Sequence, residues 1–206
     1  MRSSRLGSSA LVKICGLSTA ADVDTALEHG ADALGFVLTA SPREVTPAQA
    51  AGLVGPVPDT VATVGVFRSE PVQRAIELAG AARLGWIQLH GARTPEDIAA
   101  VQAAGFRAIR AVRMDAAAAD FTDWGEDLLL IDAAVPGSGE SWDYAAVRPL
   151  AAGRSWLVAG GLTHANVARA LQLSGATGAD VSSGVESSRG VKDRTLIARF
   201  IAAAKA

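Results

Sequence analysis

The chain has 206 residues, half of them hydrophobic and 19% charged, with a formal net charge of −2. That length suits one domain with a large core, and the composition excludes an intrinsically disordered chain. No basic run suggests a nucleic-acid surface, no apolar run approaches the ~20 residues that span a bilayer, and the single cysteine excludes an internal disulfide framework or a cysteine-based zinc site.

Residues 1–10, "MRSSRLGSSA", are basic and polar and lack the apolar segment of a signal peptide. They read as a flexible extension, with the domain at 11–206, and a reducing, cytoplasmic setting fits the lone thiol. From residue 11 the chain alternates. Short β-branched, apolar runs read as strands: "LVKICG" 11–16, "ALGFVL" 33–38, "TVATVGVF" 60–67, "WIQLH" 86–90, "AIRAVR" 108–113, "LLLID" 128–132, "WLVAG" 156–160 and "ADVSSG" 179–184. Stretches of helical periodicity follow them. Thr46-Pro47 and Thr94-Pro95 place a capping threonine before a proline at the first helical position. Gly30, Gly80, Gly105 and Gly175 are positioned to close helices. The weakest helical stretch, "DAAAADFTDWGED", reads as a short turn and loop. Eight βα units in this length predict a single (β/α)₈ barrel at its lower size limit. The competing architecture, a doubly wound open sheet, would be favoured by "GxGxxG" after the first strand, and that motif is not there.

In such a barrel the chemistry sits at the C-terminal strand ends. Side chains alternate along a strand. If Val12 and Ile14 face the helices, Lys13 and Cys15 face the interior. The same parity turns Gln88 and His90, Leu130 and Asp132, and Asp180 and Ser182 inward. Cys15, His90, Asp132 and Asp180 thus converge at one end. Strands one and eight are neighbours in a closed barrel, and buried charges need partners, so Lys13 and Asp180 are expected to pair beneath the site. Each residue alone has a plainer reading, Cys15 as a packed small hydrophobe above all; their joint placement is what points to a site. "VAGGL" 158–162 and "VSSGVE" 181–186 supply small residues after strands seven and eight, where barrels often hold a phosphate on backbone N–H groups.

Several of these stretches are motifs. "KICG" 13–16, "GADALGFVL" 30–38, "SPR" 41–43, "VGVF" 64–67, "QLHG" 88–91, "LLLID" 128–132, "AGGL" 159–162, "NV" 166–167 and "DVSSGVE…GVKD" 180–193 occur in order. Together they resemble the phosphoribosylanthranilate isomerase family, from residue 12 to the C-terminus. The resemblance implies an Amadori rearrangement of N-(5-phosphoribosyl)anthranilate to 1-(2-carboxyphenylamino)-1-deoxyribulose 5-phosphate, the third committed step of tryptophan biosynthesis. It implies no metal and no organic cofactor, a phosphorylated aminosugar as the ligand, and a monomer or homodimer. Carried onto this sequence, it makes Asp132 the general acid and Cys15 the general base, and gives Arg43 the anthranilate carboxylate. Gly160, Gly161, Ser182, Ser183 and Gly184 would cradle the phosphate, with His90 and Asp180 contacting or supporting the substrate. Asp132 would need a raised pKa, and Cys15 some thiolate character.

Two departures stand out. "VPGSGESWDY" after strand six has Pro136 for a glycine and Tyr144 for a tryptophan. "LTASPREV" after strand two lacks the aromatic residue that would stack on the anthranilate ring. Indole-3-glycerol-phosphate synthase would need a catalytic lysine and glutamate at strand ends, and the two-substrate histidine/tryptophan isomerase an aspartate where Cys15 stands. A non-catalytic phosphosugar-binding barrel is the remaining alternative.

Overall fold

The computed structural model describes residues 10–133, 143–151 and 153–206. Eight parallel strands close into a barrel in sequence order: β1 (Leu11–Cys15), β2 (Ala33–Val37), β3 (Ala62–Phe67), β4 (Trp86–Leu89), β5 (Arg107–Arg113), β6 (Leu128–Asp132), β7 (Trp156–Val158) and β8 (Gly178–Val181). β8 hydrogen-bonds back to β1, with Lys13 in register with Asp180. A two-stranded antiparallel hairpin, β9 (Glu186–Ser188) and β10 (Val191–Lys192), follows β8 and has no counterpart in the predicted elements. The expected extension at 1–10 lies outside the described residues, save Ala10, as do residues 134–142 of the unusual loop after β6.

The strand alternation holds. Val12, Ile14, Leu34, Phe36, Phe67, Ile87, Leu89, Leu129, Ile131, Ala179 and Val181 belong to the large layer between strands and helices. Val64, Ile109, Ala111, Leu130, Leu157 and Ala159 form a separate core inside the barrel, and above it Cys15, Val37 and Val66 make a small cluster. A strand that must satisfy both layers carries apolar residues on both faces, which is why these runs are nearly continuous.

Among the described residues six α-helices surround the strands: α1 (Ala20–Glu28), α2 (Pro47–Val54), α3 (Val72–Ala81), α4 (Pro95–Ala103), α5 (Val167–Ser174) and α6 (Arg194–Lys205). Thr46 and Thr94 make full capping boxes with Gln49 and Asp97, each before a proline. Gly80, expected to close a helix, instead lies inside α3. That helix runs on to Ala81, and Arg83 takes the left-handed turn with φ +56°. The Arg83 N–H bonds to Gly80 O and the Leu84 N–H to Ala79 O, wrapping the helix end without a glycine.

Among the described residues no α-helix joins β5 to β6 or β6 to β7. A short 3₁₀ turn, Ala118–Phe121, and a run of turns through 144–151 stand there. The outer wall of β5 is covered by a charged cluster instead. Arg110 faces outward from β5 and is 2% exposed. Its guanidinium donates to Asp120 O (2.5 Å), Thr122 O (2.6 Å) and Glu126 Oε1 (2.8 Å), and lies 4.1 Å from the centre of the Trp124 ring. Arg154, from the stretch before β7, also pairs with Glu126 and donates to Phe121 O. One fully buried carboxylate therefore ties two arginines and three loop carbonyls. Among the described residues no helix is long and apolar enough to cross a membrane.

Glu126→Gln would leave two guanidinium groups over one neutral partner. It should lower stability by about 3 kcal/mol. A urea titration would register this as an earlier midpoint with an unchanged slope.

Candidate active site

β1 delivers two inward side chains in succession. Lys13 is 1% exposed, and its Nζ lies 2.8 Å from Asp180 Oδ1. This is the pair expected from the alternation. Burial opposes the Lys13 charge, but the Asp180 carboxylate holds its pKa above the ordinary lysine value. Cys15 sits one layer up, on the same inward face of β1 and close to the same ammonium. Gly35 on β2 makes the room: a Cβ there would lie 3.0 Å from Cys15 Sγ and 3.1 Å from Lys13 Nζ.

Asp132 ends β6. Its Oδ1 accepts the Ala133 N–H at 2.8 Å. Burial, and then the nearby Asp180 carboxylate, raise its pKa to about 6. The raised pKa that the resemblance requires of Asp132 is thus present. Cys15 departs from expectation. Burial raises its pKa above the ordinary value, outweighing the pull of Lys13 and Lys192, while Asp180 adds to the rise. Burial therefore favours the neutral thiol. His90, hydrogen-bonded to the Gln88 amide, is held neutral; burial and the charges of Lys13, Arg68 and Arg93 lower its pKa to about 3.

The loops after β7 and β8 meet edge to edge. Gly184 is the middle residue of a 3₁₀ turn, Ser183–Val185, and packs so closely on the other loop that a Cβ would lie 1.8 Å from Leu162 O. Gly160 takes φ +85°, and a Cβ there would sit 2.8 Å from Asp132 Oδ1. Both glycine carbonyls are tied back: Asn166 Nδ2 donates to Gly161 O at 2.9 Å, and Tyr144 Oη to Gly160 O at 3.3 Å. With those oxygens engaged, the loop is suited to an anion. Tyr144, which stands where the family commonly has tryptophan, is thus 5% exposed and structural.

Arg43 does not stand free. Its Nε and one terminal nitrogen form a fork with Glu186 at 2.6 and 2.8 Å. Glu186 also accepts from Lys192 Nζ (2.8 Å) and the Gly190 N–H (3.1 Å). Burial resists its ionisation, yet these donors hold its pKa at about 2. Lys192 in turn donates to Ser182 O at 2.9 Å. Glu186 and Lys192 were quoted within motifs but given no role. Their sequence signal was only a glutamate and a lysine flanking a glycine turn, and nothing local marks Arg43 as their partner.

All ten residues singled out from the sequence line one cavity of about 650 Å³: Cys15, Arg43, His90, Asp132, Gly160, Gly161, Asp180, Ser182, Ser183 and Gly184. Among the described residues no Phe, Tyr or Trp lines it, in line with the missing aromatic after strand two. None of the described His, Cys, Asp and Glu residues forms a group of three or more that could hold a metal ion.

The family model for N-(5'-phosphoribosyl)anthranilate isomerase matches residues 12–203. The chain belongs to the phosphoribosylanthranilate isomerase family. The N-(5'-phosphoribosyl)anthranilate isomerase of Paracoccus denitrificans is 44% identical over 209 residues, covering 95% of this chain and 97% of that protein. The crystal structure of TrpF from Jonesia denitrificans superposes with a TM-score of 0.84 at 39% identity, covering 95% of this chain and 96% of the other. A phosphoribosyl anthranilate isomerase solved with reduced 1-(o-carboxyphenylamino)-1-deoxyribulose 5-phosphate has a TM-score of 0.84 at 31% identity, covering 95% and 98%. The barrel is therefore that of an isomerase family, and its members here match nearly end to end.

The Asp132 pKa carries a stability consequence. Its folded-state value, about 6, lies above the ordinary 3.8, so the native state keeps a proton that the unfolded chain has lost. That contribution is full below pH 3.8 and is lost as pH rises through about 6. Asp132→Asn should therefore be more stable than the parent at pH 8, by up to about 2–3 kcal/mol, and equal to it at pH 3.5. Thermal unfolding at the two pH values measures the difference.

Proposed function

We propose that this chain catalyses the Amadori rearrangement of N-(5-phosphoribosyl)anthranilate, with Asp132 as general acid and Cys15 as general base. The observation that carries the reading is the pairing, in one cavity, of a carboxyl with a pKa of about 6 and the chain's sole thiol, next to the glycine-rich edge of β7 and β8. The loops around Gly160, Gly161, Ser182, Ser183 and Gly184 take the ribose phosphate. Arg43, fixed by Glu186, faces the aryl carboxylate with its remaining donors. Asp180 sets the charge balance of the site, and neutral His90 offers a hydrogen bond to a sugar hydroxyl.

The proton transfers balance within the substrate. Asp132 gives its proton to the ring oxygen as the C1–O bond breaks and the nitrogen lone pair forms a C1=N bond. The cationic imine acidifies C2–H. Cys15 sulfur takes that proton, and the C–H electrons form the C1=C2 bond of an enolamine. The enol then tautomerises, C1 gaining a proton as C2 becomes the ketone. General acid–base catalysis of this kind needs each group within reach of its proton and in the right ionisation state.

The ionisation states are inverted with respect to need. Asp132 titrates near 6, while burial raises the Cys15 thiol above its ordinary range. The productive form, acid protonated and thiolate free, is then a minor tautomer of the dominant carboxylate–thiol form. Below pH 6 both groups are protonated and the thiolate fraction falls tenfold per unit. Above the thiol pKa the acid is lost in the same way. kcat/KM should therefore rise to about pH 6, hold a plateau, and fall only as pH passes the raised thiol pKa; a profile that falls as pH rises through 6 would contradict the assignment.

Purified protein supplied with phosphoribosylanthranilate made in situ should consume it, followed as loss of fluorescence. Cys15→Ser and Asp132→Asn should each lower kcat by at least ~10². Full rates in either variant would remove that residue from its role. Phosphate binding without any turnover by the parent would instead make this a phosphosugar-binding barrel.

A further inference from the structure

We infer that Arg68, at the end of β3, is a second receptor for the aryl carboxylate, and that it sets the preference for a carboxylated over an uncarboxylated aryl amine. The inference rests on the isomerase reading above and names how its substrate is chosen.

The charges of the cavity are mostly spent on one another. Lys13 is paired with Asp180, and Lys192 with Glu186. Arg43 has two of its three nitrogens on Glu186. Arg68 lines the same cavity and, like Arg189 in the turn between β9 and β10, has no carboxylate within ion-pair distance among the described residues; of the two, only Arg68 stands away from the β8 side. Arg68 follows β3, which stands four strands round the closed barrel from β7, so it enters the cavity from the wall facing the β7 loop. It also lines an adjoining cavity of about 690 Å³ that shares His90 and Asp132 with the first. With Nε and one terminal nitrogen of Arg43 held by Glu186, a second guanidinium would add the bidentate contact that Arg43 no longer offers to a ligand carboxylate.

The backbone of Arg68 is held although its side chain is exposed. Its N–H and that of Ser69 bond to Glu70 Oε2 at 3.2 Å. Glu70 is fixed in turn by Thr39 Oγ1 at 2.7 Å. From the other side Arg93 places its guanidinium on three carbonyls: His90 (2.9 Å), Glu70 (2.8 Å) and Arg68 itself (3.1 Å). Loops after β2, β3 and β4 therefore converge to fix the peptide that carries one unpaired guanidinium. Ordering costs conformational entropy, and a pre-ordered backbone spends that cost before the ligand arrives. A planar guanidinium can then meet a carboxylate with two parallel hydrogen bonds.

The test compares two glycosylamines, made by condensing ribose 5-phosphate with anthranilate or with aniline. Arg68→Gln should lose about 10- to 100-fold in kcat/KM on the carboxylated substrate and less than about 3-fold on the aniline one. Arg68→Lys, keeping charge but not the fork, should fall between. Equal losses on both substrates, or no loss on the carboxylated one, would overturn the inference. If the parent converts neither substrate, the isomerase reading fails. Calorimetric binding of the stable reduced product, with and without its carboxyl, still measures the same Arg68-dependent ratio and decides this inference without turnover.

Discussion

The Lys13–Asp180 ion pair is the contact around which the barrel and its chemistry are arranged. It lies at the seam where the last strand meets the first, and its two residues stand in register. A buried ion pair gives little net stability, since desolvating the two charges offsets their attraction. What it gives here is polarity. The Asp180 carboxylate pushes the Asp132 pKa up, while the Lys13 ammonium pulls on the Cys15 sulfur. One pair thus acts in the useful direction on both groups proposed to move protons. Because the pair is neutral as a whole, it does so without adding net charge to the cavity.

Two further buried charge clusters show the same economy at different places. Glu186 joins the loop after β2 to the hairpin after β8 by holding Arg43 and Lys192 together. Glu126 joins the stretch before β6 to the stretch before β7 by holding Arg110 and Arg154. In each, a single carboxylate satisfies two cations, and backbone carbonyls take further donors. The second cluster occupies a wall of the barrel where a helix would ordinarily lie, so the fold substitutes directional hydrogen bonds for an apolar helix face.

The strands were legible because a barrel strand obeys a strict period of two. Lys13, Cys15, Asp132 and Asp180 fell on the inward face by parity alone, and the structure agrees for every one. Helix starts were legible where threonine preceded proline, a chemistry confined to four residues. The end of α3 was not. Gly80 offered the usual stop signal, yet a helix tolerates a glycine when the next turn packs, and Arg83 supplied the left-handed residue instead. The engagement of Arg43 by Glu186 was illegible for a different reason. The partners are 143 residues apart, and no local periodicity relates them. The rise of the Cys15 pKa was not legible because its largest cause is burial, which depends on how the barrel interior closes around the sulfur and not on its neighbours in the chain.

That long reach also governs how the protein comes into being. Lys13 waits for a partner 167 residues further along, and Arg43 for one 143 further. A nascent chain that has extruded seven strands from the ribosome still carries an unanswered ammonium facing its interior and an arginine without its clamp. Such a chain can collapse around its apolar layers, but the seam and the site mature together, after the last strand and hairpin have emerged. Contacts of this separation slow folding, and here they also keep an incomplete polypeptide from presenting a working pocket to its ligand.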